Sequence, residues 1–151
     1  MNWSALAIAG GVAMVAATLG NLLIPKSAMA WFRGLRWPRW LVPYPAFIVV
    51  GVLYYLLMAT VLYRSLDRDD MSAVVWAVVV LTANEAWNAV FFGLRSTFGG
   101  FVGIVAFAVP LVALFADIRA DRLSALLVAV YLAWVAYDIA WTFALWRTNR
   151  R

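Results

Sequence analysis

Five runs of mostly apolar residues, at about 3–24, 45–63, 71–94, 98–116 and 123–146, decide what this chain can become. Each run has about 19–24 residues, enough to cross a hydrocarbon core of ~30 Å at 1.5 Å per helical residue. In lipid the backbone must satisfy its own hydrogen bonds, so segments of this kind are helices. Composition agrees: 67% of residues are hydrophobic and 13% are charged, about half the charged share of a soluble domain. The expected fold is all-α, an integral membrane bundle of five transmembrane helices, with residues 1–151 forming a single domain. The segment 25–44 is expected as an ordered loop. No Lys or Arg precedes the first run, which is also too long for a signal-peptide core, so it is expected as a span.

Loop charge predicts the orientation. An odd number of spans puts the termini on opposite sides. One side collects Lys26, Arg33, Arg36, Arg39, Arg95, Arg147, Arg150 and Arg151. The other has Arg64, Arg68, Arg119 and Arg122 beside the loop aspartates. The positive-inside rule therefore predicts the N-terminus outside and the C-terminus and first loop inside, in a bacterial cytoplasmic membrane. The pI near 10.1 reflects this excess of Arg beside apolar spans, which suits lipid headgroups, and no nucleic-acid partner is expected.

Cysteine and histidine are both absent. Disulfides, thiolate or zinc centres, His-ligated haem and a Ser-His-Asp triad are thereby excluded, and no metal site is expected. Ala5, Ala9, Ala13 and Ala17 make a small-residue stripe on the first span, read as internal bundle packing or as a homodimer seam.

Candidate site residues concentrate around 84–92. Asn84 and Asn88 lie one helical turn apart beside Trp87 and Phe91, with Glu85 rotated about 100° from Asn84. The last span carries Tyr131, Trp134, Asp138, Trp141 and Leu145 on one face. The second brings Phe47, Gly51, Tyr54, Tyr55 and Met58. Glu85 and Asp138 each sit about nine residues, or ~14 Å, before the inner ends of parallel spans. The same depth on the second span falls at Gly51 to Tyr55. Acids at this level can hydrogen-bond to Tyr54, Tyr55, Asn88 or Thr142, share one proton, or pair with a cationic ligand. Structural, ligand-contact and proton-path roles all stay open, the last implying a transporter. A structural membrane subunit is a further alternative. Trp31, Arg33, Arg36, Trp37, Arg39 and Trp40 in the first loop form either a headgroup anchor or a lid that stacks on a flat ligand and pairs with its anions.

The chain resembles the TspO/MBR family, the tryptophan-rich sensory proteins related to the translocator protein. The resemblance runs from about Trp31 to Asn149. It is carried by Trp31-Phe32-x-x-Leu35, Pro38-x-Trp40-x-x-Pro43, Phe47, Tyr55-x-x-Met58, Asn84-x-x-Trp87, Phe91-Phe92-Gly93, Tyr131-x-x-Trp134 and Trp146-x-x-Asn149. It implies a membrane ligand-binding or sensory protein, often a homodimer, with a pocket near the first loop for a tetrapyrrole or another flat aromatic molecule. No cofactor is required, and a porphyrin- or haem-like ligand is what the resemblance implies. Trp40, Asn84, Trp87, Phe91 and Trp134 would line or support that pocket. Gly51 stands where the family has a Trp tied to porphyrin breakdown, so no enzymatic activity is expected. Asp138 and Glu85 replace a small and an apolar residue respectively. A divergent member is expected, preferring a neutral or cationic aromatic ligand, or binding porphyrin with its acids protonated.

Overall fold

The computed structural model describes residues 2–150. They form α1 (Trp3–Leu23), α2 (Lys26–Arg33), α3 (Tyr44–Asp67), α4 (Met71–Asn88) continued by a π-helical turn (Ala89–Gly93), α5 (Thr97–Asp117) and α6 (Arg122–Thr148). Five of these helices are long and apolar enough to cross a membrane, and no strand occurs among the described residues. Outward-facing positions such as Leu22, Val109, Leu126 and Val130 are apolar and exposed, which suits lipid and not water.

α1 is capped by Asn2, whose side chain accepts the Ala5 N–H at 3.1 Å. Its buried face is Ala5, Ala9, Ala13, Ala16 and Gly20. The alanine stripe expected at every fourth residue thus moves from Ala17 to Ala16. Four residues turn a helix by about 400°, so the contact drifts and then resets by a three-residue step. This face packs on α3 and α4 of the same chain, which answers to internal packing and leaves it unavailable as a dimer seam.

The first-loop region differs from the expectation of a loop. Residues Lys26–Arg33 form a helix started after Pro25, and only 34–43 are irregular. Ala28 and Phe32, one turn apart, are its buried side, and they rest α2 on the π-helical turn. Three polar ties hold the irregular segment in place: Asn149 bonds both the N–H and the C=O of Arg36 at 3.0 Å, and the Val42 N–H donates to the Tyr137 hydroxyl at 2.9 Å. Arg95 donates to Ser27 across the same end of the bundle.

At the opposite end α3 runs four residues beyond the expected limit at Tyr63. The reason is a clasp: Arg64 forks onto both oxygens of Asp121 at 2.7 Å, Arg68 reaches Oδ2 at 3.0 Å, and Ser124 donates to Oδ2 at 2.6 Å. A bidentate guanidinium–carboxylate pair fixes geometry as well as charge, and here it ties the end of α3 to the start of α6. Between these ends the core is built from Met58, Val61, Val80, Leu111, Leu114 and Val128, all fully buried. α5 continues unbroken through Pro110.

The Arg64 guanidinium beside Asp121 holds its carboxyl well below the usual aspartate range, outweighing burial, with Ser124 and Arg68 adding to the effect. A depressed folded-state pKa contributes stability that is full above the unfolded value near 4 and is lost as pH falls below it. Asp121→Asn is expected to lower stability in detergent by about 1.5–3 kcal/mol at pH 7, as for a charged hydrogen-bonded pair. The gap to wild type, read by thermal unfolding, should narrow below pH ~4.

Candidate functional site

A cavity of about 390 Å³ lies among α1, α3, α4 and α6, beneath α2. That volume falls within the roughly 300–1,000 Å³ typical of small-molecule sites. Aromatic rings dominate its wall. Phe47 stands edge-on to both Trp134 and Trp141, with centroids 5.9 and 5.5 Å apart. Tyr131, Tyr54 and Tyr55 lie toward the core, and Trp87, Phe92 and Phe32 close the side nearest α2.

The π-helical turn sets the register of these rings. Its extra residue, marked by the Leu94 N–H reaching the Ala89 carbonyl, turns Phe91 fully inward while Phe92 faces the cavity. Phe91 stacks on Trp87 at 5.4 Å, and the Trp87 indole donates to the Gly100 carbonyl at 2.9 Å. A Cβ at Gly100 would overlap the Phe91 ring, so this glycine is needed for close approach.

The two acids have separate partners. Glu85 is buried and accepts three bonds: Tyr55 Oη to Oε1 at 2.7 Å, Asn84 Nδ2 to Oε1 at 3.2 Å, and Asn88 Nδ2 to Oε2 at 3.3 Å. The carboxylate presses against Gly20 of α1, where an added Cβ would overlap Glu85 and lie 2.8 Å from the Tyr55 oxygen. Asp138, also buried, accepts the Trp141 indole N–H on Oδ1 at 2.6 Å. Trp134 stands in the same stretch of wall as Asp138. Thr142 bonds the backbone carbonyl of Asp138, and Tyr54 donates to the Val80 carbonyl, so neither serves an acid directly. No group of three or more acidic, His or Cys side chains converges among the described residues.

Of the residues singled out from the sequence, Phe47, Gly51, Tyr54, Tyr55, Asn84, Trp87, Asn88, Trp134, Asp138 and Trp141 are brought together in the cavity wall. Glu85 and Phe91 stand behind it, the acid bonded to wall residues and the ring buried beneath Trp87. Trp31 packs edge-on against Phe91, and Trp40 is half-exposed against Tyr137. Arg33, Arg36 and Arg39 lie outside the wall. The wall also holds Ala17, Gly20 and Asn21 of α1, Ile24 just past its end, and Phe32 and Tyr44, which the sequence does not single out as lining, together with Tyr131, which it names on the last span. Gly20 extends the small-residue stripe, and Tyr131 shares the helical face of Trp134 and Asp138. Those were the available signals.

The fold and this cavity define an integral membrane protein of five spanning helices around an aromatic-walled interior. Residues 6–147 match the TspO/MBR family, and the chain belongs to that family. It is 28% identical over 150 residues to the tryptophan-rich protein TspO of Chlorobaculum tepidum, covering 95% of each chain. It is 33% identical over 129 residues to the protein CrtK of Rhodobacter capsulatus, covering 80% of this chain and 79% of that one. Against the translocator protein of Homo sapiens the identity is 27% over 144 residues, covering 87% and 82% respectively.

Two glycines in the wall should respond oppositely to alanine. Gly20→Ala overpacks the Glu85 junction and is expected to cost about 1–3 kcal/mol in thermal unfolding. At Gly51 nothing lies within 4 Å of an added Cβ, so Gly51→Ala is expected to gain about 0.5–1 kcal/mol from helix propensity.

Proposed function

We propose that this protein binds a flat, apolar aromatic molecule in the cavity beneath α2, as a ligand-binding or sensory membrane protein and not as an enzyme. The wall of stacked and edge-on rings carries this reading: it offers broad apolar faces, with hydrogen-bonding groups confined to a few positions, chiefly Asn84, Asn88, the tyrosines and Asp138. Tetrapyrrole-like molecules fit this description, as do smaller fused-ring compounds. α2 and residues 34–43 act as a lid, tied down at Asn149 and Tyr137 but contributing mainly Phe32 to the wall. Arg33, Arg36 and Arg39 serve lipid headgroups in this arrangement, and would reach ligand anions only at the cavity rim.

Residues 1–151 act as one domain, in a homodimer whose contact lies elsewhere than the buried face of α1. The charge asymmetry of the connectors favours a bacterial cytoplasmic membrane with the N-terminus outside and the lid inside. Glu85 has a structural role, since its oxygens are occupied by Tyr55 and the two asparagines. A transport function has no observation of this kind behind it.

Binding of protoporphyrin or anthracene to the purified protein should quench the tryptophan fluorescence of the wall. Gly51→Phe puts a ring into open space in that wall and is expected to weaken binding at least about tenfold, equivalent to 1.4 kcal/mol. Unchanged affinity in that variant would remove the cavity from the account.

A further inference from the structure

The cavity wall carries an acid without a basic partner. Asp138 is only 6% exposed yet lines the wall, and no Lys or Arg stands among the described wall residues. Its Oδ1 takes the Trp141 N–H at 2.6 Å, the one hydrogen bond of good geometry that the carboxyl accepts. The same wall carries the rings of Phe47, Tyr131, Trp134 and Trp141, and aromatic ring faces attract positive charge. Glu85 does not compete, because both of its oxygens already accept donors.

A carboxylate that takes a single well-formed hydrogen bond, in an aromatic wall that supplies no cation, is the complement of an organic cation. From this we infer that the ligand is a flat aromatic carrying a protonated amine or quaternary ammonium nitrogen, with Asp138 as its counter-ion. The inference rests on the ligand-binding reading above and names the chemical class that the site selects. A choline headgroup offers the same ammonium, but Asp138 lies about ten residues, or ~15 Å, from the end of α6, too deep for a bilayer headgroup. Cationic selectivity of this kind combines direct charge pairing in a shielded site with cation–π attraction, and neither acts on a neutral ring system.

The test compares two isosteric probes, the permanent cation 10-methylacridinium and neutral 9-methylanthracene. Each is titrated into the full-length protein in maltoside micelles, with binding to protein-free micelles subtracted. Wild type should bind the cation at least about tenfold more tightly, the range of a shielded cation–π site with a counter-charge. Asp138→Asn should abolish that preference, read as the ratio of the two affinities measured in the same variant. Equal affinity of wild type for the two probes, or a cation preference that survives Asp138→Asn, would overturn the inference while sparing the cavity as a ligand site. Equal loss of both probes in Asp138→Asn would overturn it too, by giving Asp138 a purely structural part. Binding of neither probe to wild type would overturn the ligand-binding reading itself. The wild-type comparison needs no variant, so it decides the matter even if Asp138→Asn does not fold.

Discussion

A carboxylate buried between membrane helices must find donors inside the protein, and the way Glu85 finds them organises one half of this bundle. An unsatisfied carboxyl in hydrocarbon costs several kcal/mol, so its three bonds from Tyr55, Asn84 and Asn88 are a condition of the fold. They join α4 to α3 and hold the carboxylate against Gly20 of α1. Three helices therefore meet at a point where one lacks a side chain and the other two share a hydrogen-bond network. The cavity lies beside this junction, with Gly20, Tyr55, Asn84 and Asn88 in its wall.

The two ends of the bundle are fixed by different means. The Arg64–Asp121–Ser124 clasp is ionic and lies at the ends of the apolar spans, where charge costs little. At the other end α2 and residues 34–43 are held by rings and backbone bonds: Phe32 against Phe91 and Trp37, Arg36 to Asn149, Val42 to Tyr137. Neither end inserts a charged side chain into the cavity. Asp138 is thus its only charged wall residue among those described, held from one side by Trp141.

Much of this is legible in the sequence because membrane helices obey few rules. Span length and apolarity imply five helices, and the depth of Glu85, Asp138, Gly51 and Tyr55 along parallel and antiparallel spans brings the right helices to one level. Tyr55 and Asn88 can be named from the sequence as partners of a buried acid. Other features have no one-dimensional signal. The π-helical turn, which sends Phe91 inward against Gly100 and Phe92 to the wall, follows no local sequence pattern. The helix Lys26–Arg33 reads as loop because Pro25 and the Trp/Arg content suggest an excursion, yet eight residues between Pro25 and Gly34 are enough for two turns. The indole of Trp141 escapes notice as a partner of Asp138 because a three-residue spacing on one face reads first as shared packing.

The proposed ligand lies in the space beside the Glu85 junction. Crystals of the protein soaked with 2-bromoanthracene would test it by anomalous diffraction at the bromine edge. The account predicts bromine density inside the wall formed by Gly51, Trp87 and Trp134. Bromine found only on the lipid-facing sides of the helices, with the cavity empty, would contradict it.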